Sequence, residues 1–432
     1  MGASRPRGIL DPHSAPRILH SLKYAIIIAD GAADLPVPAL GGRTPLEAAR
    51  TPSLDALARR GTQGVAVTTP PGFGAGSDVC SMSLLGYDPA RFHTGRAPLE
   101  AAALGLEPGP DDWVFRLNLV TTDEGGRMLD HSAGAISDAE ARPLVADLAA
   151  AWSERCPEIS RGLSLTPGVS YRNILVDASG RDYAGVRTTP PHEIPGEPFA
   201  PHQPTGGDAA AALVALMRVS AEVFRAHPVN AARRRAGKRP ATMAWIWGQG
   251  RRPAMPRFAD TFGLRGSMIT AVDLLAGIAA LAGWDRPVVP GITSYHDTDY
   301  AAQGRATADA LDHCDIACCH VESPDEASHQ GDVRTKVAAL EAIDAHVVPA
   351  VLARLESFPR WRLLVMPDHY TLVSTRKHDA TPPPWLMAGT GISPSGAPRW
   401  TEPEARRSGV VIDPGHTLMG LFLARGPGTA NA

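Results

Sequence analysis

The chain holds 432 residues, with 42 Lys and Arg against 45 Asp and Glu, for a formal net charge of −3 at pH 7. That balance excludes a broad basic surface for nucleic acid or an anionic membrane, so any anion it binds must be met locally. No apolar run reaches the roughly eighteen residues of a membrane span, and the length predicts two domains rather than one core.

In chain order, the first twenty or so residues are rich in Arg, Pro and Ser and lack an apolar segment of signal-peptide length before Tyr24. Residues 1–22 therefore read as the loose tail of a cytoplasmic enzyme. Tyr24-Ala-Ile-Ile-Ile-Ala29 reads as a buried strand, followed at once by Asp30-Gly31. A helix is expected over Ser53–Arg60, behind Thr51-Pro52. Pro70-Pro-Gly-Phe-Gly-Ala-Gly76-Ser77-Asp78 is a glycine-rich loop opening onto a helical pattern from Val79 to Leu85. A phosphate docked there would face free backbone N–H groups and the positive end of a helix. The plainer alternative is that Ser77 only caps that helix.

From about residue 93 to 257 the composition changes, with Pro-rich loops, an alanine-rich helix from near Ala209 and a basic run, Arg233-Arg-Arg-Ala-Gly-Lys-Arg239. We read this stretch as an inserted domain and the basic run as solvated charge at a helix end. The flanking stretches, 23–92 and 258–425, then form one discontinuous α/β domain. Within it, helices are expected over Met268–Ala282 and Val333–Leu355, and strands over Ile316–Val321 and Arg362–Met366. The chain has five cysteines, Cys80, Cys156, Cys314, Cys318 and Cys319. Three lie between His313 and His320 and superficially suggest a metal tract. A buried strand with Cys as a small hydrophobe explains them better, and the odd count gives no disulfide scaffold.

Parallel α/β sheets place ligands at the carboxyl ends of their strands. All three apolar runs end in groups able to hold metal: Asp30 after the first, Asp325 and His329 after the second, Asp368, His369 and then His378 after the third. Asp325 and His329 stand four apart and share one face if helical. One such pair is commonly just a polar helix face; three at neighbouring strand ends point to metal. Mixed carboxylate and imidazole donors favour two divalent ions of the Mn²⁺ or Zn²⁺ kind, with Mg²⁺ and Co²⁺ also compatible, over an all-oxygen Ca²⁺ cage. Beside such ions a Ser77 hydroxyl would become a nucleophile for phosphoryl transfer.

Longer motifs carry a resemblance. They are Gly41-Gly-Arg-Thr-Pro-Leu-Glu-Ala-Ala49, Thr51-Pro-Ser-Leu-Asp55, Gly76-Ser-Asp78, Leu84-Leu-Gly-Tyr-Asp-Pro89, Thr94-Gly-Arg-Ala-Pro-Leu-Glu-Ala-Ala102, Arg116-Leu-Asn118 and Glu322-Ser-Pro-Asp-Glu326. Over roughly residues 23 to 422 the chain resembles the archaeal-type cofactor-independent phosphoglycerate mutases of the alkaline phosphatase superfamily, in particular a bacterial branch that includes proposed homoserine kinases. The resemblance implies an alkaline-phosphatase-like doubly wound α/β core with an inserted α+β domain that closes over the substrate. It implies that Ser77 carries the phosphoryl group, with Asp30, Ser77, Asp368 and His369 on one metal and Asp325, His329 and His378 on the other. It also implies interconversion of 3-phosphoglycerate and 2-phosphoglycerate, with Arg96, Arg116, Asn118, Arg172 and His192 on the substrate, although a structural ion pair explains each of these singly as well.

Four positions depart from the family pattern. Ser328 stands where Gly is common before the histidine, and Thr381 where an acid is. Trp247 replaces an Arg and Gln303 a Lys. These leave open a related phosphotransferase, a phosphonate-processing enzyme of specialised metabolism or a homoserine kinase-like enzyme, using the same serine and metals on another substrate. No Gly-x4-Gly-Lys-[Ser/Thr] loop is present for a nucleotide. A non-catalytic protein that only keeps the fold is disfavoured, because every metal and nucleophile position is present. The oligomeric state is not legible in the sequence.

Overall fold

The computed structural model describes residues 22–424. The tail expected over 1–22 lies outside the described residues, except that Leu22 opens the first strand. The strands, in chain order, are β1 (Leu22–Ala29), β2 (Thr62–Ala66), β3 (Trp113–Thr122), β4 (Met128–Asp130), β5 (Leu163–Pro167), β6 (Arg172–Asp177), β7 (Met243–Arg251), β8 (Gly266–Ile269), β9 (Ile316–Val321), β10 (Arg360–Met366), β11 (Tyr370–Leu372), β12 (Lys377–Asp379), β13 (Pro384–Gly389) and β14 (Val411–Ile412).

Seven of them form one sheet in the order β14-β2-β13-β10-β1-β9-β8. β10, β1, β9 and β8 run parallel, as expected, while β13 is antiparallel to both its neighbours. The reason is local: only the short β11–β12 hairpin separates β10 from β13, and without a crossover helix a strand must return antiparallel. β1 is buried on both faces. Tyr24, Ile26 and Ile28 join Met82, Leu275 and Ile278 in one core, whereas Ala25, Ile27 and Ala29 join Leu54, Leu57, Leu340 and Val351 in another. Helices thus cover both sides of a doubly wound α/β sheet, which is why its central strands read as unbroken apolar runs. Cys318 and Cys319 divide between the same two cores, and burial pushes the Cys319 thiol up to about 12.

The second sheet lies wholly within residues 113–251. It is antiparallel, with β3 at its centre between β6 and β7, and β4 and β5 outside. Phe115, Leu117 and Leu119 of β3 pack under the helices Asp138–Arg155 and Gly207–Arg225, against Leu144, Leu148, Leu213 and Phe224. Side chains alternate along a strand, so Val114, Arg116 and Asn118 share the other face. There Val114 meets Ala97 and Ala101 of the helix Arg96–Ala103. Leu99 of that helix belongs instead to the core of the first sheet, with Leu275 and Ile278. One helix therefore touches both sheets, and it lies so close to the helix Asp273–Leu281 that a Cβ on Gly277 would overlap the Leu99 carbonyl.

Three sequence expectations need correction. Met268 lies in β8, and the helix expected from it begins only at Asp273, because Ser-Met-Ile is taken up by pairing with β9. The helix expected over Val333–Leu355 is helical throughout but contains a wide π turn, Ile343–Val347, between Val333–Ala342 and Val348–Glu356. Arg233 is not solvated charge. It is buried, with Nη1 on Glu140 at 2.5 Å and Nη2 donating to the Ala133 carbonyl at 2.7 Å, while Arg234, Arg235 and Lys238 are exposed as expected. No helix among the described residues is long and apolar enough to cross a membrane.

Gly277→Ala should destabilise the chain by about 1–3 kcal/mol through overpacking. Gly420→Ala, in the helix Leu418–Leu423 with open space around it, should be neutral or stabilising by up to about 1 kcal/mol. A urea-unfolding midpoint lowered in Gly277→Ala and unchanged or raised in Gly420→Ala, relative to the unsubstituted chain, would check the assignment of the tight contact.

Candidate metal centre and nucleophile

The register of the central strands brings the ligands together. Ala29 of β1 stands opposite Val321 of β9, and Ile28 opposite Met366 of β10, so the residues after each strand emerge side by side. Asp30 comes first, fully buried. The helix Ser323–Gln330 then supplies Asp325 and His329, one turn apart. Asp368 and His369 follow β10, and His378 reaches back from β12. Gly31 makes the approach possible: at φ +58°, an added Cβ would stand 2.5 Å from Asp325 Oδ1.

Two groups of candidate ligands result, each with donor atoms within 4.8 Å of one another: Asp30, Asp368 and His369, and Asp325, His369 and His378. His369 lies between the two sets that the sequence separated. His329 Nε2 is 3.1 Å from Asp325 Oδ2 and 3.0 Å from His378 Nε2. The ring orientations decide what these atoms can do. His329 Nδ1 lies 3.0 Å from the Arg376 carbonyl and His378 Nδ1 3.2 Å from the Ala75 carbonyl. Carbonyls only accept, so both Nδ1 atoms donate, and in the neutral rings both Nε2 atoms present lone pairs. Two such lone pairs 3.0 Å apart, beside the Asp325 carboxylate, repel unless positive charge, a proton or a metal ion, sits between them. Asp30 Oδ1 is likewise buried without a hydrogen-bond partner. These residues fit divalent cations.

Protonation equilibria express the same demand. The hydrogen bond to Asp325 pushes His329 up to about 9. Burial, then the charges of Asp368 and Asp325, drive Asp30 well above the usual carboxylate range. Burial works against ionised Asp325 too, but the bonds from His329 and His378 take it well below that range.

Ser77 is the first residue of the helix Ser77–Leu84, with Gly76 at the cap position, so the capping role does not describe it. Its Oγ lies 3.3 Å from His369 Nε2. In the next turn Ser81 Oγ donates to Asp368 Oδ2 at 3.2 Å. The helix start is also tied to the basic wall. Asp78 lies 2.9 Å from His93 Nε2 and 3.6 Å from Arg96 Nε, and these partners, against burial, hold it below the usual carboxylate range.

The residues expected on the substrate separate into two kinds. Arg96, Arg116 and Arg172 act together on Glu100, and Arg116 lies 2.9 Å from that carboxylate. His192 stands nearby and is held down to about 4 by burial and by Arg116. Asn118 is buried, its Oδ1 accepts from Trp247 Nε1 at 3.0 Å and its Nδ2 donates to the His131 carbonyl. These bonds brace the wall on which Arg116 stands. Trp247, the cross-strand partner of Arg116, lies under that guanidinium at 4.2 Å and 5.4 Å from the His192 ring. Gln303 donates to the His320 carbonyl, and Thr381 folds back on Asp379.

Sequence reasoning missed His320, Glu322 and Thr371. His320 Nε2 is 2.8 Å from Asp30 Oδ2, Glu322 joins them in a third acidic group, and Thr371 bonds Asp325 and His369. His320 was hidden in a tract read as core, yet its place at the carboxyl end of β9 was a usable signal.

A divalent cation free at about 100 times its Kd would contribute about 2.7 kcal/mol, and Mn²⁺ serves as the probe. Stripping the protein with a chelator should therefore lower the melting temperature by several degrees and Mn²⁺ should restore it, as followed by differential scanning fluorimetry.

A family model described as 2,3-bisphosphoglycerate-independent phosphoglycerate mutase matches residues 58–230. The chain is 44% identical over 403 residues to 2,3-bisphosphoglycerate-independent phosphoglycerate mutase 2 of Methanothermobacter thermautotrophicus, covering 93% of this chain and 98% of that one. It is 43% identical over 404 residues to the 2,3-bisphosphoglycerate-independent phosphoglycerate mutase of Methanothrix thermoacetophila, covering 93% and 100%. Among solved structures, a Pyrococcus horikoshii protein superposes with a TM-score of 0.77 at 27% identity, over 94% of this chain and 99% of that one. The cofactor-independent phosphoglycerate mutase of Thermoplasma acidophilum shares the fold, with a TM-score of 0.62 at 24% identity over 93% and 99%.

Proposed function

The chain belongs to the 2,3-bisphosphoglycerate-independent phosphoglycerate mutases, a family of metal-dependent isomerases, and we propose that it interconverts 3-phosphoglycerate and 2-phosphoglycerate through a phosphorylated Ser77. The observation that carries this reading is Ser77 Oγ, turned away from a capping role and 3.3 Å from His369 Nε2 among buried Asp and His side chains.

Asp30, Asp368 and His369 with Ser77 would hold one divalent ion, and Asp325, His329 and His378 the other, with Mn²⁺ the best match to the donors and Mg²⁺, Zn²⁺ or Co²⁺ alternatives. When bound, such ions lower the pKa of a hydroxyl and neutralise phosphoryl oxygens. The chain does the rest. Ser77 Oγ attacks phosphorus as the bond to the substrate oxygen breaks, and the proton leaving Ser77 ends on the freed glycerate hydroxyl. Backbone N–H groups at the start of the helix Ser77–Leu84 face the phosphoryl group. Arg96, Arg116 and Arg172 meet the carboxylate, and neutral His192 offers a hydrogen bond without adding charge. Glycerate turns while held there, and its other hydroxyl takes the phosphoryl group back. Holding it requires exclusion of water, which the stretch 93–257 supplies by closing over the site. The same reading makes the protein a cytoplasmic enzyme acting on a small phosphorylated acid.

Trp247 supports a second reading. It occupies the faces of Arg116 and Asn118 where an Arg was expected, so the phosphoryl chemistry would serve another acid or alcohol, as in a phosphotransferase, a phosphonate-processing or a homoserine kinase-like enzyme.

Mass spectrometry of Mn²⁺-loaded protein incubated with 3-phosphoglycerate should find phosphate on Ser77, and Ser77→Ala should lower turnover by roughly 10⁴-fold or more. Phosphate on Ser77 from other donors, with no turnover of either phosphoglycerate, would replace the first reading with the second.

A further inference from the structure

Thr371 is the middle residue of β11 and is fully buried at the centre of the site. Its Oγ1 lies 2.5 Å from Asp325 Oδ1 and 3.1 Å from His369 Nδ1. An ionised carboxylate only accepts, so the Thr371 O–H donates to Asp325, and the hydroxyl oxygen then receives the N–H of His369 Nδ1. That leaves His369 Nε2 as the lone-pair atom, 3.3 Å from Ser77 Oγ, 3.4 Å from Asp368 Oδ2 and 3.6 Å from Asp30 Oδ1. Asp325 meanwhile faces His329 and His378. A single hydroxyl thus orients one donor on each side of the centre.

The hydroxyl is itself held firmly. The Thr371 N–H donates to the Ala33 carbonyl at 3.2 Å, and its carbonyl accepts from Lys336 Nζ at 2.7 Å. Lys336 is buried and paired with Asp34 at 2.9 Å. On the remaining side lies Gly31, where an added Cβ would come within 2.6 Å of Thr371 Oγ1.

We propose that Thr371 is a positioning residue that couples the two metal subsites, so that occupation of either one pre-orients a donor of the other. The inference rests on the metal-centre reading above but not on the identity of the substrate. Without the hydroxyl, the His369 N–H loses its acceptor and the ring is free to turn or to exchange tautomers, while Asp325 loses one of the bonds that fix its plane. Hydrogen bonds of this kind behind a metal ligand are commonly worth about 10–100-fold in metal affinity. Because both sides share this one, both affinities fall together. The coupling is reciprocal by linkage, so it appears as positive cooperativity between the first and second ion.

The test is Mn²⁺ titration calorimetry on the metal-stripped full chain at fixed pH, for the wild type, Thr371→Val and Thr371→Ser, with melting temperatures of the stripped proteins in parallel. Valine keeps the branched shape and removes the hydroxyl; serine keeps the hydroxyl. The expected result is two equivalents on the wild type, both weakened by about 10–100-fold in Thr371→Val, with the cooperativity lost and Thr371→Ser regaining most of both. Unchanged affinities in Thr371→Val, a loss confined to one equivalent, or equal losses in both variants with lowered melting temperatures would each overturn the coupling. A wild-type chain that takes up no Mn²⁺ would overturn the metal centre itself, a separate failure from wild-type loading with an unaffected valine variant.

Discussion

Carboxylates buried this deeply cannot stand ionised without positive charge beside them, and that constraint organises the molecule. Asp30, Asp325 and Asp368 are held within a few ångströms of imidazoles, the buried His369 and the part-exposed His329 and His378, whose Nδ1 atoms are already committed to carbonyl or hydroxyl oxygens. The cost of assembling such a group is met in part by the sheet. Every central strand is packed on both faces, so a slip of one residue would move whole rows of Ile and Val between cores, and the register that aligns Asp30 with its neighbours is fixed by apolar burial.

The same division of labour extends to the cleft. Arg116, on the second sheet, and Arg96, at the start of the helix that touches both sheets, would supply positive charge for the proposed anionic substrate, and each is restrained by a carboxylate, Arg116 by Glu100 and Arg96 by Asp78. Asp78 directly follows Ser77, so the helix start bearing the proposed nucleophile and the wall of arginines are joined through one ion-paired side chain. Trp247 adds an aromatic face to that wall, which sets its shape as well as its charge.

What the sequence revealed follows from the range of the interactions involved. The strands and their terminal acids and histidines were legible because parallel burial leaves long apolar runs, and Ser77 because glycine-rich loops before helices are local patterns. The roles of Asn118 and Arg233 were not, since the partners that bury them, Trp247 and Glu140, lie 129 and 93 positions away. Thr371 was invisible for the same reason: a threonine among others gains its meaning only from Asp325 and His369. The antiparallel return of β13 depended on what β11 and β12 do together, and the early start assigned to the helix at Met268 on a pairing with β9 that no periodicity reports.

The helix Arg96–Ala103 has one more consequence. Its first residue touches Asp78, its alanines lie under the second sheet, and Leu99 rests against Gly277 with no room for a side chain between. The two sheets thus meet through one eight-residue helix seated on a backbone-to-backbone contact, where no flexible side chain can give way. The spacing between Arg96 and the helix that starts at Ser77 is therefore set by rigid backbone packing and not by the reach of a long side chain.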